Sequence, residues 1–258
     1  MAVQSVLYQL SVQSVSDIGL VRQNNEDALK FLKESSFFVL ADGMGGHLAG
    51  EIASNEAVNL MCSLFQKNES CFQQGIETAV QSLKKIIQEV NTQIYHLGKK
   101  NVAYRGMGTT LCCLYFHGEG LVYGHVGDSR IYLFRKGKLE QITQDHSLMR
   151  ELIELGQLSE QQASDFLYKN IITKAIGTEI NVEPAVKHMS VEADDIFLVC
   201  TDGLSDLLTL IEIQTILSEH TENKAIQILL EKAIDYGGYD NISMILLKVQ
   251  KLYATHLS

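Results

Sequence analysis

The chain has 258 residues, of which 46% are hydrophobic and 20% charged, a composition typical of one large globular domain or two small ones. Its formal net charge of -10 argues against a nucleic-acid-binding or anionic-membrane-binding protein, because both need clustered Lys and Arg. No apolar run approaches the roughly 18 residues of a transmembrane helix, and residues 1–14 lack the basic and apolar regions of a signal peptide. We therefore expect a cytoplasmic protein.

Apolar periodicity predicts the elements of the first half of the chain. It predicts strands over residues 5–15 and 28–41 and helices over residues 50–66 and 80–94. After Gly106 the pattern becomes a β meander with turns at HGEG and KGK. Its strands are predicted over residues 109–116, 121–129, 130–135 and 139–143.

The second half mixes both kinds of element. Residues 147–170 are polar and helical in character, and a strand follows over 196–201. Two helices near 209–219 and 222–236 precede the last strand, residues 241–250. Because the helices are segregated from the strands and no linker interrupts the chain, we predict one α+β layered domain over residues 1–258.

The five cysteines do not suggest a disulfide or zinc framework, since their number is odd and no C-x-x-C pair exists. We interpret them as reduced and mostly buried. Cys112 and Cys113 are neighbours on one predicted strand, so their side chains should point to opposite faces. The set is Cys62, Cys71, Cys112, Cys113 and Cys200.

Four aspartates stand at the ends of predicted strands. Asp42 and Asp202 end apolar runs and precede glycine, Asp128 follows LVYGHVG, and Asp240 precedes the last strand. An ionised carboxylate at a core boundary is costly unless a cation compensates it, and no matching set of Lys or Arg lies beside these four. Oxygen ligands without His or Cys select Mg²⁺ or Mn²⁺ over zinc.

The glycines near the first aspartate suit a metal site. Gly43 can bring its own carbonyl to a metal, and Gly45 and Gly46 keep side chains out of the cavity. Pairs of divalent ions about 3.5–4 Å apart serve phosphoryl chemistry. A single Asp-Gly is usually an ordinary turn, but four strand-end aspartates together favour the metal site.

The segment SDIGLVRQNNEDA places Arg22, Glu26 and Asp27 between two predicted strands. Arg binds phosphate bidentately, and the two acids could hold metal-bound waters. A charged loop beside a strand is also commonplace, so this segment alone is weak support for a site.

Eight blocks of the chain follow one another in a familiar order. They are SDIGLVRQNNEDA, ADGMGGHLAGEIAS, GMGTT, GHVGDSRIY, TQDHS, ITKAIGT, LVCTDGLSD and GGYDNIS. Together they resemble the metal-dependent protein phosphatases of type 2C, in their compact bacterial form. The resemblance covers nearly the whole chain. It implies a central β sandwich of two antiparallel sheets flanked by antiparallel helix pairs, with a small helical flap at residues 147–170.

The resemblance also implies hydrolysis of phosphoserine and phosphothreonine in proteins. Asp42 would bridge two Mg²⁺ or Mn²⁺ ions, and Asp128 with Asp202 would hold a weaker third. Arg22 would hold the substrate phosphate. A water activated between the two metals would attack phosphorus in line, without a phosphoenzyme. The metal ligands implied by the matched motifs are Asp42, Gly43, Asp128, Asp202 and Asp240.

The general acid is left open by the resemblance. Better-known eukaryotic relatives carry a His after the first Asp-Gly, where this chain has Met44. His47 is the obvious substitute, as the acid or only as a positioning residue or bystander. A metal-bound water could protonate the leaving oxygen instead.

Other functions are weaker alternatives. A phosphatase-like regulatory binding module should have lost metal ligands, yet all four aspartates are present. A partner-switch phosphatase acting on one small phosphoprotein fits the intact Arg22 block less well, and a small-molecule phosphatase is a further alternative. By family analogy we expect a monomer that acts on phosphorylated proteins and counteracts a eukaryotic-like Ser/Thr kinase.

Overall fold

Two antiparallel sheets form a sandwich in the computed structural model, which describes residues 5–45, 48–159, 168 and 171–255. In spatial order, the first sheet contains β1 (Ser5–Asp17), β11 (Ile242–Thr255), β10 (Ile196–Cys200), β7 (Arg130–Arg135) and β8 (Lys138–Gln141). The second contains β2 (Asp27–Leu32), β3 (Phe37–Met44), β5 (Leu111–His117), β6 (Gly120–Val126) and β9 (Ala185–Met189), with β4 (Gly108–Thr109) paired to the end of β3.

Helices cover the outer faces of both sheets. Those on the second sheet are α1 (Leu48–Lys67), α2 (Glu69–Phe72) and α3 (Ile76–Lys100). Those on the first sheet are α5 (Asp202–Ser205), α6 (Leu210–Glu219) and α7 (Glu222–Asp235). A short helix, α4 (Leu148–Glu154), follows β8, and a 3₁₀ turn spans Val102–Tyr104. The predicted sandwich with flanking helices is confirmed.

Three apolar clusters hold these layers together, and strand β3 shows how. Phe38 and Leu40 face the core between the sheets, whereas Phe37 and Val39 face the helix layer. Phe37 stacks on Phe65 of α1 with ring centroids 4.2 Å apart. Because both faces of such a strand are buried, its sequence is a continuous apolar run rather than an alternating one.

The neighbouring cysteines obey the same geometry. Cys112 lies in the core between the sheets and Cys113 in the helix-facing core, as their positions on one strand predict. All five cysteines are free thiols, and Cys71 is the one that is not fully buried.

The prediction of one strand over residues 28–41 is wrong. The chain forms two antiparallel strands, β2 and β3, joined by a turn at Lys33–Ser36. Ser36 donates its backbone N–H to the Lys33 carbonyl at 3.1 Å and has a φ of 51°. The polar sequence KESS cannot be buried with its apolar neighbours, so the chain reverses there.

The sequence prediction omitted the edge strand β9, the one-turn helices α2 and α5 and the 3₁₀ turn, and it made strands β1 and β11 too short. The edge strand β9 carries Lys187 and His188 and lacks an apolar run, and α2 is a single turn. Strands β1 and β11 pair from Ser5–Thr255 to Asp17–Ile242, beyond the predicted ends.

The predicted flap at residues 147–170 can be compared only in part. Helix α4 lies within it, while residues 160–167 and 169–170 lie outside the described residues. Within the part of the chain that the structure describes, no helix is both long and apolar enough to cross a membrane.

Candidate metal centre and active site

The predicted metal ligands come from both sheets. Asp42 lies near the end of β3, and Asp128 lies in the connection from β6 to β7. Asp202 begins α5 directly after β10, and Asp240 stands two residues before β11. Each of these four residues is half-buried.

Electrostatics shows that these carboxylates converge on one place. Burial raises the pKa of Asp42 well above its usual range, and the charges of Asp27, Asp202, Asp128 and Asp240 raise it further. Coulombic interaction between like charges weakens with distance, so carboxyl groups that raise one another's pKa lie near each other. The sandwich therefore gathers five carboxyl groups at one edge.

The same cause acts on the other acids. Burial, followed by neighbouring carboxylates, raises the pKa of Asp27 and of Asp128 to about 7 and that of Asp202 to about 6. The buried Oδ1 atoms of Asp27 and Asp202 accept no hydrogen bond from the residues described here. Carboxylate oxygens that lack protein donors and repel one another fit a divalent cation.

The carboxylates lie near one another but are not arranged in a preformed metal-coordination geometry. Across the described ranges, no three His, Cys, Asp or Glu side chains form a ready-made metal-binding group. Asp240 is instead bonded to an arginine, since Arg22 Nη2 donates to Asp240 Oδ2 at 2.6 Å. The predicted phosphate-binding cation therefore lies beside a predicted metal ligand, with about half of its side chain exposed.

The two Asp-Gly glycines have a role that the sequence did not reveal. A Cβ on Gly43 would stand 2.2 Å from the Gly50 carbonyl oxygen, in the first turn of α1. A Cβ on Gly203 would stand 2.0 Å from the Asn241 carbonyl oxygen, at the start of β11. The absence of a side chain at Gly43 and Gly203 allows two pairs of backbone segments to be in contact next to Asp42 and Asp202. These contacts fix the backbone positions of both aspartates.

The predicted second-layer acids lie at the same edge. Asp27 pairs across the strands with Asp42 and is buried, and its Oδ2 accepts a hydrogen bond from the Thr201 hydroxyl at 3.0 Å. The Glu26 carboxylate lies against Gly50, where an added Cβ would come within 2.5 Å of Oε2. The structure thus brings both acids to the site, while His47 lies outside the described residues.

Buried hydroxyl groups around Asp42 were missed by the sequence analysis. The Asp42 N–H donates to Thr110 Oγ1 at 2.9 Å, and the Thr109 hydroxyl donates to the Asp42 carbonyl at 2.8 Å. Thr110 Oγ1 is also 2.7 Å from Ser129 Oγ, next to Asp128. The sequence analysis gave these threonines only a place at the start of a predicted strand, whereas the structure shows that they tie Asp42 to the Asp128 segment.

Asn241 is a second residue that was missed. Its side-chain amide donates to the carbonyls of Ile18 and Asn24 at 2.9 and 3.0 Å and accepts from the Glu26 N–H at 2.8 Å. It therefore holds the loop that carries Arg22 against the segment that carries Asp240. An asparagine beside a strand-end aspartate in GGYDNIS was the available signal.

Arg130 links the GDSR and TQDHS blocks. Its guanidinium donates to both carboxylate oxygens of Asp145, with Nη2 2.7 Å from Oδ2, and Nη1 reaches the Ser205 carbonyl at 3.5 Å. This largely buried pair joins β7, the loop after β8 and helix α5. It supports the segments that carry Asp128 and Asp202 from behind.

Comparison with known proteins now identifies the family. The family model described as "Protein phosphatase 2C" matches residues 21–229. The chain belongs to the protein phosphatase 2C family. The predicted family and the predicted enzyme class, a protein serine/threonine phosphatase, are therefore confirmed.

Individual relatives are similar to this phosphatase 2C chain in sequence or structure along nearly its whole length. The serine/threonine phosphatase stp of Listeria monocytogenes is 36% identical over 238 residues, which is 90% of this chain and 93% of the relative. The solved structure of the Streptococcus agalactiae serine/threonine phosphatase has a TM-score of 0.86 at 37% identity, covering 94% of this chain and 100% of that one. The catalytic domain of the phosphatase PstP, solved in complex with two manganese ions, has a TM-score of 0.82 at 33% identity, covering 94% and 99%.

Proposed function

We propose that this phosphatase hydrolyses phosphoserine and phosphothreonine in proteins at a dinuclear Mg²⁺ or Mn²⁺ centre, by direct phosphoryl transfer to water. The observation that carries the proposal is the convergence of Asp27, Asp42, Asp128, Asp202 and Asp240 beside Arg22. The two manganese ions in the PstP structure support the choice of metal.

Each converging group has a proposed task. Asp42, the Gly43 carbonyl, Asp202 and Asp240 hold two divalent cations, and Asp128 with Asp202 holds a third more weakly. When bound, the cations supply the positive charge that makes water a nucleophile at neutral pH and neutralises phosphate oxygens. Arg22 orients the substrate phosphate through its planar fork of N–H donors.

Arg22 has to change partner to bind phosphate. In the structure it is bonded to Asp240, and the hydrogen bond between them is the main cause that raises its pKa. A cation bound by Asp240 would weaken this pair, because the carboxylate charge is then shared with the metal. Metal loading and phosphate binding would thus favour each other.

A route without a phosphoenzyme is supported by the state of the candidate nucleophiles. The hydroxyls of Thr110, Ser129 and Thr201 are buried and already hydrogen-bonded. Burial raises the pKa of the Cys200 thiol to about 12, so it is protonated at neutral pH. None of these four groups is prepared to attack phosphorus, which favours water as the nucleophile.

The experiment is hydrolysis of a phosphothreonine peptide by the purified protein in EDTA, Mg²⁺ or Mn²⁺. We expect turnover only with metal and a loss of at least about 100-fold in Asp202→Ala, since a first-layer ligand is removed. Asp235→Ala, an exposed acid at the end of α7, is the matched control and should retain activity. Turnover in EDTA, or an active Asp202→Ala, would contradict the dinuclear mechanism.

We also propose that a eukaryotic-like Ser/Thr kinase is the functional counterpart. This rests on family analogy. Its test is a purified kinase autophosphorylated on threonine. Failure of the active phosphatase to remove that phosphate would refute the pairing while leaving the chemistry intact.

A further inference from the structure

Large apolar side chains lie exposed on both sides of the Arg22–Asp240 ion pair. Leu20 and Val21 are 67% and 61% exposed, and Tyr239 is 63% exposed. Leu20 and Val21 directly precede Arg22, and Tyr239 directly precedes Asp240. We call Leu20, Val21 and Tyr239 the rim surface.

The rim surface is one surface because its two loops are bonded together. The Leu20 N–H donates to the Gly238 carbonyl at 2.8 Å, and Leu20 Cγ lies 3.2 Å from where a Cβ of Gly238 would stand. On the other loop, the Tyr239 ring covers Gly237, whose Cβ position is 2.3 Å from Tyr239 Cζ. Leu20 and Tyr239 are therefore held in place next to the ion pair.

We propose that the rim surface binds the substrate chain beside the phosphoresidue and selects an apolar side chain within two or three residues of it. This inference rests on the proposed function, since it takes Arg22 as the phosphate ligand. The rim surface then contributes to substrate choice.

Chain geometry places the rim surface within reach of such a side chain. Consecutive Cα atoms are about 3.8 Å apart, so the Cα atoms of Leu20 and Val21 lie within about 8 Å of that of Arg22. An extended substrate advances about 3.3 Å per residue. Asp240 contacts the Arg22 guanidinium itself, and Tyr239 directly precedes Asp240. The second or third residue from a phosphoresidue held there is therefore within reach of the rim surface.

Charge favours a substrate over a second copy of the chain as the occupant. Each copy carries a net charge of -10, so two copies repel one another unless a specific contact compensates. An apolar patch enclosed by polar groups is typical of a binding site. Here the polar group beside it is the arginine proposed to hold phosphate.

The test compares two substrates in each variant. One is a phosphothreonine peptide with Leu at the second position on either side of the phosphoresidue, and the other is p-nitrophenyl phosphate, which has no chain to dock. For Leu20→Ser and Tyr239→Ser we expect the ratio of kcat/KM for peptide to kcat/KM for p-nitrophenyl phosphate to fall about five- to tenfold, as for loss of a partly buried apolar contact. A peptide with Ser in place of Leu should reduce the wild-type ratio similarly.

Two control variants separate docking from general damage. Val102→Ser removes an apolar side chain that is 88% exposed in the turn before β4, and the ratio should not change. Tyr239→Phe keeps the apolar ring and should keep the wild-type ratio. Thermal unfolding of every variant shows whether it is folded.

The outcomes are distinguishable. An unchanged ratio in folded Leu20→Ser and Tyr239→Ser, with an active wild type, would overturn the inference and leave the proposed function standing. Size-exclusion chromatography of the same variants gives a further outcome. A variant that elutes at a different volume from wild type but has an unchanged kcat/KM ratio would also overturn the inference, because the rim surface would then join two copies of the chain. If the metal-loaded wild type hydrolysed neither substrate, the proposed function would fail and the inference with it.

Discussion

Asp42 illustrates how single residues define this site. The apolar run before it builds a strand buried on both faces, and the chain then presents a carboxylate where the strand ends. Burial and four neighbouring carboxylates raise its pKa well above the usual range. Without a cation, the clustered carboxylates make an unfavourable electrostatic contribution to the stability of the fold. A bound divalent cation would make that electrostatic contribution favourable.

Arg22 offers the most direct prediction for the phosphate. Arg22→Lys keeps the charge but loses the planar fork, so we expect kcat/KM for a phosphothreonine peptide to fall about tenfold. Arg22→Ala should lose about 10- to 100-fold, the usual range for a charge-assisted hydrogen bond. Steady-state kinetics at saturating Mn²⁺ measures both, with Arg105→Lys, an exposed arginine directly after the 3₁₀ turn, as a matched control. Equal activity of Arg22→Ala and wild type would show that Arg22 does not bind the phosphate.

Asp128 gives a prediction for the pH dependence of stability without metal. Its pKa is raised to about 7 in the folded protein, mainly by burial, against 3.8 for an ordinary aspartate. The folded state therefore binds an extra proton between pH 4 and 7, and stability falls as the pH rises through this window. The Asp128→Asn variant has no titratable group at this position, so it should not lose this stability as the pH rises. In EDTA its unfolding temperature should match that of wild type near pH 4 and exceed it by about 2–4 °C or more above pH 7, as about 1 kcal/mol would produce.

Calorimetry at several pH values measures that difference, with Asp235→Asn as the exposed control. A difference that is constant from pH 5 to 8 would contradict the raised pKa of Asp128.

The acids of the candidate site could be identified from the sequence, but the residues that hold them in place by hydrogen bonds could not. Asp42, Asp128, Asp202 and Asp240 could be predicted because a carboxylate at the end of an apolar run is chemically unusual. Thr110 and Asn241 could not, since Thr and Asn are common in turns and strands. Their roles depend on hydrogen bonds to residues 68 and up to 223 positions away.

At the scale of elements, the site depends on close contact between strand ends and their neighbours. Gly203 lets the turn after β10 touch the start of β11, where a Cβ would come within 2.0 Å of the Asn241 carbonyl oxygen. We expect Gly203→Ala to destabilise the protein by about 3 kcal/mol or more, because backbone atoms on both sides must move. Urea unfolding in EDTA measures this without any effect of metal.

The control for this prediction is another glycine. Gly137→Asn adds a side chain in the turn between β7 and β8, where nothing lies within 4 Å and φ is +81°, a conformation that Asn tolerates. It should change the free energy of unfolding by less than about 1 kcal/mol. A Gly203→Ala variant as stable as Gly137→Asn would show that the contact can relax.

Helices and strands could be predicted where their burial produces a recognisable pattern of apolar residues in the sequence. Strands β5, β6, β7 and β10 are apolar runs because they are buried, and helix α6 begins at a capping box formed by Thr209 and Glu212. The edge strand β9 has one face in solvent and a neighbour on one side only, so its sequence has no comparable pattern. The break at Lys33–Ser36 was overlooked because apolar residues on both sides gave the appearance of one long strand.

For the whole molecule, the site lies where the two sheets meet. Asp42 lies on a strand of the second sheet, and Asp202 and Asp240 belong to segments of the first. Asp128 lies in the connection that runs from β6 of the second sheet to β7 of the first. The sheets share one apolar core, to which β3, β5 and β6 contribute from one side and β7, β10 and β11 from the other. Cations held by all four aspartates would therefore link both halves of the sandwich directly.

This arrangement predicts that Mn²⁺ stabilises the whole molecule in one transition. Once the metal concentration exceeds its Kd, each tenfold increase adds about 1.4 kcal/mol per bound ion, which raises the unfolding temperature by about 3–6 °C. Far-UV circular dichroism reports the helices, and fluorescence reports the ten tyrosines, since the chain has no tryptophan. Both signals should shift together, because the ligands come from both sheets. Asp202→Ala should lose most of the shift and Asp235→Ala none, whereas a shift in only one signal would mean that the metal stabilises one sheet and not the sandwich.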